Sequence, residues 1–209
     1  MFNYEEMKNK IILADCMDIM KDIPDKYFEL AIVDPPYGLN AGNWNSFGIR
    51  RGKYSFAKAK AYMRKRWDDN PANKEYFDEV FRVSKHQIIW GVNYFFHERL
   101  QGGRIFWDKD TPEGFIKSRG ELAYQSFTNI VEYFKFRWNG MFQEDMKNKE
   151  IRIHPTRKPV RLYEWLLGKY VKKNWIVLDT HVGSQSIRIA CHNYGVSFIG
   201  CEIVSCNHF

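Results

Sequence analysis

Short apolar runs bounded by turn-forming residues recur along this chain, with helical patterns between several of them, and this alternation limits its fold. Strands that alternate with helices form mostly parallel sheets covered on both faces. The pattern therefore predicts an α/β, doubly wound sheet of seven strands. We expect the run 130–136 to be the one antiparallel strand and to pair with the run 104–107. The predicted strands are 11–14, 30–33, 87–90, 104–107, 130–136, 175–178 and 197–201, and the predicted helices include 71–85 and 159–171.

Length and charge narrow the class of protein. The 209 residues suit one domain, 1–209, and the net charge of +7 favours an acidic partner such as nucleic acid. The apolar runs are too short to cross a membrane, and "MFNYEEMKNK" lacks the apolar core of a signal peptide, so we expect a cytoplasmic protein without a membrane partner. The four cysteines match no usual zinc spacing, so we expect reduced thiols and no metal.

The run "AIVDPPY" (31–37) ends in an unusual way. Two consecutive prolines cannot donate to a sheet ladder and push the preceding residue out of the helical region. The strand must stop there, which presents Asp34 and Tyr37 on a rigid edge. Ligand sites of doubly wound sheets lie at such strand ends.

A second strand end lies in "WIVLDTHVGSQSIRIACHNYG", which is followed by a strand that ends at Glu202. A helix start behind a glycine turn can receive a polar ligand, and an acid at the end of the next strand can accept two ribose hydroxyls. This layout predicts a nucleoside-cofactor site. Only Gly183 lies in the turn, which disfavours a pyrophosphate ligand. The alternative stays open that Gly183 only forms a tight turn and Asp179 only caps a helix.

Three motifs together resemble the amino-methyltransferases of DNA: "DPPYG" (34–38), "HPTRKPVRLYEWLL" (154–167) and "VLDTHVGSQS" (177–186). The order of the motifs is that of the beta group, and the resemblance spans residues 10–203. It implies a Rossmann-like class I methyltransferase fold and S-adenosylmethionine as cofactor. The implied reaction is methylation of the exocyclic amine of adenine in duplex DNA, with the target base flipped out of the helix.

The resemblance also implies the residues of the site. Asp34 and the Pro35 carbonyl would accept the two hydrogens of the amine, held by the stiffness of Pro35 and Pro36, and Tyr37 would stack on the flipped base. Asp15 would line the adenine of the cofactor and Glu202 would hold its ribose. A surface position is the alternative for Asp15 and Lys158. His154 and His181 are interpreted as hydrogen-bonding or packing residues and not as a general base. The implied cofactor-binding residues are Asp15, Lys158, Pro159, Asp179, Thr180, Gly183, Ser184 and Glu202.

Contact with DNA is expected from the basic segment 38–70, a loop or helix that leaves the "DPPY" edge. The segment 137–153, between "IVEYFKF" and "HPTRKP", is too short for a separate recognition domain, so a homodimer or a separate recognition partner stays open. The predicted DNA-binding residues are Arg50, Arg51, Lys53, Arg64, Lys65 and Arg66.

The sequence also departs from the family pattern. Gln185 stands where a glycine is expected, and the sequence ends at "VSCNHF" where relatives continue into a tyrosine-bearing helix. Three alternatives therefore stay open: a cytosine-amine DNA methyltransferase, an RNA or nucleotide methyltransferase, and a catalytically weak nucleic-acid or cofactor binder. Aspartate at the head of "DPPY" favours adenine, since cytosine-amine enzymes more often have serine there.

Overall fold

The structure is a computed structural model that describes residues 3–39, 68–113, 118–139, 142–150 and 156–203. Most of the predicted DNA-contacting segment, residues 40–67, lies outside the described residues. Within the described residues, no helix combines the length and the apolar character needed to cross a membrane.

Helices and strands alternate along the described chain, as predicted. The helices are α1 (Tyr4–Met7), α2 (Cys16–Met20), α3 (Lys74–Val83), α4 (Val160–Tyr170) and α5 (Ser186–Tyr194). The strands are β1 (Lys10–Leu13), β2 (Phe28–Val33), β3 (Ser84–Trp90), β4 (Arg104–Asp108), β5 (Gly120–Gln125), β6 (Val131–Lys135), β7 (Trp138–Asn139), β8 (Phe142–Gln143), β9 (Ile176–Asp179) and β10 (Ser197–Glu202). A short 3-10 helix, Val92–Tyr94, follows β3.

Eight of these strands form one sheet in the order β1-β10-β9-β2-β3-β5-β4-β6. The first five strands in this order pair in parallel. β5 pairs antiparallel with both β3 and β4, and β6 returns to the parallel direction beside β4. The mostly parallel, doubly wound sheet with one antiparallel strand is confirmed.

Two details of the predicted sheet are wrong. Within the part of the chain that the structure describes, the sheet has eight strands and not seven, because the prediction missed β5. The antiparallel strand is β5, whereas β6 (predicted as 130–136) pairs with β4 in parallel. The physical reason is that β5 lies between β3 and β4, so the chain passes over β4 before β6 joins its outer edge.

Alternating side chains of β2 show how the sheet separates two cores. Leu30 and Ile32 pack in a cluster with Leu166 of α4 and Ile187 of α5. Ala31 and Val33 pack in a second cluster, which contains Phe77 and Phe81 of α3 and Met20 of α2. Helices thus cover both faces, as a largely parallel sheet requires.

The parallel direction brings several chain ends to one edge of the sheet. β2 ends before Asp34, β3 before Gly91, β9 at Asp179 and β10 at Glu202. Because β5 runs the opposite way, its first residues, including Glu121, reach the same edge. The fold therefore gathers acids from four strands at one place.

Candidate active site

The stretch that follows Asp34 is clamped by a buried acid. Asp68 accepts hydrogen bonds from the backbone N–H groups of Tyr37, Gly38 and Leu39, at 2.7, 2.9 and 3.2 Å. The Pro36 carbonyl accepts from the Ala72 N–H at 3.1 Å. The turn after β2 is thus fixed by proline stiffness and by a carboxylate that satisfies three backbone donors.

Two donors hold the Asp34 carboxylate itself. The Tyr37 hydroxyl donates to Asp34 Oδ1, and the Lys158 ammonium donates to Asp34 Oδ2. Lys158 Nζ also lies 3.4 Å from the Tyr37 hydroxyl oxygen. Asp34 is therefore oriented from both sides, while its half-buried side chain still faces the cavity described below.

Lys158 is part of a chain of alternating charges. Its ammonium lies 3.1 Å from Glu121 Oε2, and Lys109 pairs with Glu121 Oε1. Burial by itself lowers the pKa of Lys158, but the Asp34 and Glu121 carboxylates outweigh it and raise that pKa. Burial raises the pKa of Glu121, but the Lys158 and Lys109 ammonium groups lower it to about 2. Both groups stay charged at neutral pH. The alternative of a surface position for Lys158 is wrong, since this residue is only 4% exposed.

Aromatic rings pack around Tyr37. Its ring stacks on Tyr94 with centroids 4.9 Å apart and planes 19° apart, and it meets the Phe95 ring edge to face. Gly91 adopts φ +74°, and a Cβ there would lie 2.2 Å from the Tyr37 ring, so glycine is required for both reasons. Burial, together with Asp34, raises the pKa of the Tyr37 phenol well above its ordinary value, so it stays a hydrogen donor. In the structure the Tyr94 ring stacks on the Tyr37 ring. Stacking of Tyr37 on a flipped base stays a prediction.

The turn after β9 has features of a cofactor cradle. Gly183 adopts φ +51°, and a Cβ there would meet only the His181 carbonyl oxygen, at 3.8 Å. The Gly183 N–H donates to Glu202 Oε2 at 2.8 Å, which joins the glycine turn to the acid at the end of β10. The open space beside Gly183 and the Glu202 carboxylate fit a polar ligand that carries hydroxyl groups.

Asp179, at the end of β9, is a buried carboxyl group. It is 2% exposed and accepts the His181 N–H at 3.0 Å. Burial raises the pKa of Asp179 to about 8; the Asp34 and Glu202 carboxylates add to the rise, and the His181 N–H and the Lys158 ammonium oppose it. Asp179 is not among the described residues that line the cavity presented below, and its predicted contact with the methionine end of the cofactor stays a prediction.

Of the remaining predicted cofactor residues, one lines the cavity, two are buried and one is exposed. Ser184 lines the cavity and Pro159 is buried at the start of α4, beside Lys158. Thr180 is turned inwards, since its hydroxyl pairs with the Tyr76 hydroxyl at 2.6 Å and with His181 Nδ1 at 2.9 Å. Asp15 is exposed and caps α2 through the Met17 N–H at 2.8 Å. Its predicted contact with the cofactor adenine stays a prediction.

His181 has the character of a packing residue, as interpreted from the sequence. Its ring meets Tyr76 edge to face. Burial lowers the pKa of His181 to about 4, so the ring is neutral and a weak base at physiological pH. His154 lies outside the described residues.

One cavity of about 540 Å³ connects the two halves of the site. Its lining includes Asp34 and Tyr37 after β2, Glu121 and Lys158 beside them, and Gly183, Ser184 and Glu202 from the ends of β9 and β10. Groups from both predicted strand ends therefore border the same cavity. The predicted DNA-binding residues, Arg50, Arg51, Lys53, Arg64, Lys65 and Arg66, lie outside the described residues.

Sequence reasoning missed four residues of this site: Asp68, Tyr94, Lys109 and Glu121. None belongs to a motif, and each reaches the site only through the sheet topology or a long loop. The one available signal was a charged residue, Glu121, beside the apolar residues Leu122 and Ala123.

Asp78, His97 and Glu98 form a separate cluster of potential metal ligands. Lys74 already supplies a cation there, with its ammonium 2.6 Å from Asp78 and 3.7 Å from Glu98. The buried His97 ring packs against the Phe77 ring. A hydrogen bond of 3.3 Å between His97 Nε2 and Asp78 Oδ1 fixes its orientation. The cluster is therefore a protein ion pair that supports α3.

The strand order and the connected cavity define a class I, S-adenosylmethionine-dependent methyltransferase. The family model described as DNA methylase matches residues 89–205, more than half of the chain. The protein belongs to this family of N6-adenine and N4-cytosine DNA methyltransferases, which use S-adenosylmethionine.

Relatives of known sequence cover nearly the whole chain. The chain is 24% identical to Type II methyltransferase M1.MboII of Moraxella bovis, over 93% of this chain and 92% of that protein. It is 24% identical to Type II methyltransferase M.HpaI of Haemophilus parainfluenzae, over 94% of this chain and 71% of that protein.

Solved structures share the fold. The complex of M1.HpyAVI with S-adenosylmethionine superimposes with a TM-score of 0.53 at 19% identity and covers 94% of each chain. The cytosine-N4-specific PvuII DNA methyltransferase gives a TM-score of 0.56 at 12% identity, over 93% of this chain and 82% of that chain.

Proposed function

We propose that this DNA methyltransferase transfers a methyl group to the exocyclic amine of adenine in duplex DNA. The observation that carries the proposal is the Asp34 carboxylate. The Tyr37 hydroxyl and the Lys158 ammonium hold it in the cavity that also contains Gly183 and Glu202. A fixed acceptor beside a cofactor cradle is the arrangement that amine methylation needs.

The residues of the cradle fit the cofactor. Asp179 would face its methionine end, Gly183 would allow a close approach of its backbone, and Glu202 would accept its ribose hydroxyls. When bound, S-adenosylmethionine supplies a methyl group on a positively charged sulfur, which keeps the electron pair of the broken carbon–sulfur bond.

Asp34 acts on the target amine. The lone pair of this nitrogen is delocalised into the ring, and a carboxylate that accepts one N–H favours a geometry in which the lone pair points at the methyl carbon. The nitrogen becomes positively charged as the new carbon–nitrogen bond forms, and it then loses one proton. Asp34 stabilises this charge, and Tyr37 and Lys158 keep the carboxylate in place.

Adenine is favoured over cytosine by the aspartate at the head of "DPPY". The shared fold does not separate the two bases, because PvuII DNA methyltransferase is cytosine-N4-specific. N4 of cytosine is therefore the second candidate. DNA contact is proposed for the basic segment 38–70, which follows this motif in the sequence.

The test is nucleoside analysis. Purified protein is incubated with S-adenosylmethionine and duplex DNA, single-stranded DNA or RNA, and the digested products are separated by mass spectrometry. We expect N6-methyladenine from duplex DNA. N4-methylcytosine as the sole product would show that cytosine and not adenine is the target base. Methylation of RNA alone would refute the proposal that DNA is the substrate. A calorimetric titration with S-adenosylmethionine separates an inactive enzyme from a protein that binds no cofactor.

A further inference from the structure

Lys158 stands between two carboxylates, and only one of them belongs to the "DPPY" motif. Its side chain is 3% exposed, it donates to Asp34 Oδ2, and its Nζ lies 3.1 Å from Glu121 Oε2. An ammonium paired with Asp34 alone would cancel the charge of that carboxylate. Lys158 and its two carboxylates together carry one negative charge, and Lys109, which pairs with the other oxygen of Glu121, carries the balancing positive charge.

Glu121 is held firmly in this position. It lies on β5, where it pairs with Trp107 of β4 in the interior of the sheet. Lys109 bonds its other oxygen from the rim of the cavity. The Lys109 side chain is 18% exposed against 3% for Lys158, so water screens the Lys109 charge more strongly.

We propose that Glu121 is a positioning residue for methyl transfer: it neutralises the Lys158 ammonium and leaves the negative charge of Asp34 for the target amine. The inference rests on the proposed function, because it concerns the charge that develops on the amine nitrogen. Lys158 without Glu121 would repel that charge and would compete with the amine for Asp34 Oδ2. With Glu121 present, Lys158 can orient Asp34 without cancelling it.

The test is a double-mutant cycle on kcat. Glu121→Gln keeps the shape of the side chain and removes its charge. We expect kcat to fall about 100-fold and KM for S-adenosylmethionine to change by less than about twofold. In a Lys158→Met background, the same substitution should change kcat by less than about threefold, since no ammonium needs neutralising. Glu121→Asp keeps the charge and should restore most of the activity.

Glu132→Gln is the matched control, because Glu132 pairs with Lys169 at 3.0 Å on β6, among residues that do not line the cavity. It should leave kcat unchanged. Wild-type kcat in Glu121→Gln would overturn the inference and leave the proposed function standing. Equal losses from this substitution with and without Lys158 would assign Glu121 to packing. Thermal melting of each variant gives its folded fraction, by which its kcat is corrected before the comparison. A wild-type protein that methylates no DNA would instead refute the proposed function.

Discussion

Replacing Tyr37 by phenylalanine should slow methyl transfer while S-adenosylmethionine binding stays nearly constant. The substitution removes the hydroxyl that donates to Asp34 Oδ1, and it keeps the ring that packs on Gly91, Tyr94 and Phe95. A hydrogen bond to a charged group contributes about 1.5–3 kcal/mol. Lys158 still holds the other oxygen, so we take the lower part of this range, about 1.5–2 kcal/mol, which corresponds to about 10- to 30-fold in kcat.

The assay is steady-state transfer of a labelled methyl group to duplex DNA, with cofactor affinity from calorimetry and folding from thermal melting. Tyr133→Phe is the matched control. It removes another tyrosine–aspartate hydrogen bond, 2.7 Å from the Tyr133 hydroxyl to Asp108 Oδ2, on the exposed side of β6. Its kcat should equal that of the wild type. Full turnover in Tyr37→Phe, or an equal loss in both variants, would refute the reasoning that the phenol orients Asp34.

Three further predictions concern the cofactor, pH and DNA. Glu202→Ala should weaken S-adenosylmethionine binding about tenfold, as loss of about 1–1.5 kcal/mol of hydrogen bonding implies; an unchanged calorimetric Kd would move the ribose elsewhere. Burial raises the pKa of Asp179 from its ordinary 3.8 to about 8, so the folded state disfavours the ionised acid. The unfolding free energy of the wild type relative to Asp179→Asn should therefore fall as pH rises from about 4 to about 8, and a constant difference in denaturant titrations would contradict this. Neutralising Arg64, Lys65 and Arg66 together should weaken DNA binding for all sequences and flatten its salt dependence; an unaltered slope in binding titrations would assign DNA contact to another surface.

The strands that the sequence revealed were those with apolar runs. β2, β3, β9 and β10 are buried and bounded by turn residues, so their pattern was sufficient. β5 was missed because it contains Gly120 and Glu121, residue types that are depleted in strands, and the polar Gln125. Gln125 is buried by bonding the Thr128 carbonyl, and Glu121 by its two lysines. Because the prediction lacked β5, β4 and β6 were consecutive predicted strands and were therefore expected to pair as an antiparallel hairpin.

The candidate site divides in the same way. Asp34, Gly183 and Glu202 were predictable because each lies within a short motif at a strand end. Asp68, which bonds the turn after Asp34, and Glu121, which pairs with Lys158, were not predictable, because they lie 34 and 87 positions from Asp34 and belong to no motif. Only the antiparallel insertion of β5 brings Glu121 to the edge where the parallel strands end. Local motifs identified the candidate reacting groups together with Tyr37 and Lys158, whereas Asp68 and Glu121 reach them only through the tertiary fold.

The most direct test of this account compares methyl transfer and cofactor binding in the wild type and in Asp34→Ala. The variant removes the proposed acceptor of the target amine, while Lys158 keeps Glu121 as a partner at 3.1 Å, so no buried charge is left alone. A single-turnover experiment with labelled S-adenosylmethionine and duplex DNA measures transfer, and calorimetry on the same samples measures the cofactor Kd. We predict that transfer by the variant is lost and that its Kd stays within about threefold of the wild type, because Asp34 acts on the amine and not on the cofactor. Transfer at the wild-type rate in Asp34→Ala would contradict the central claim.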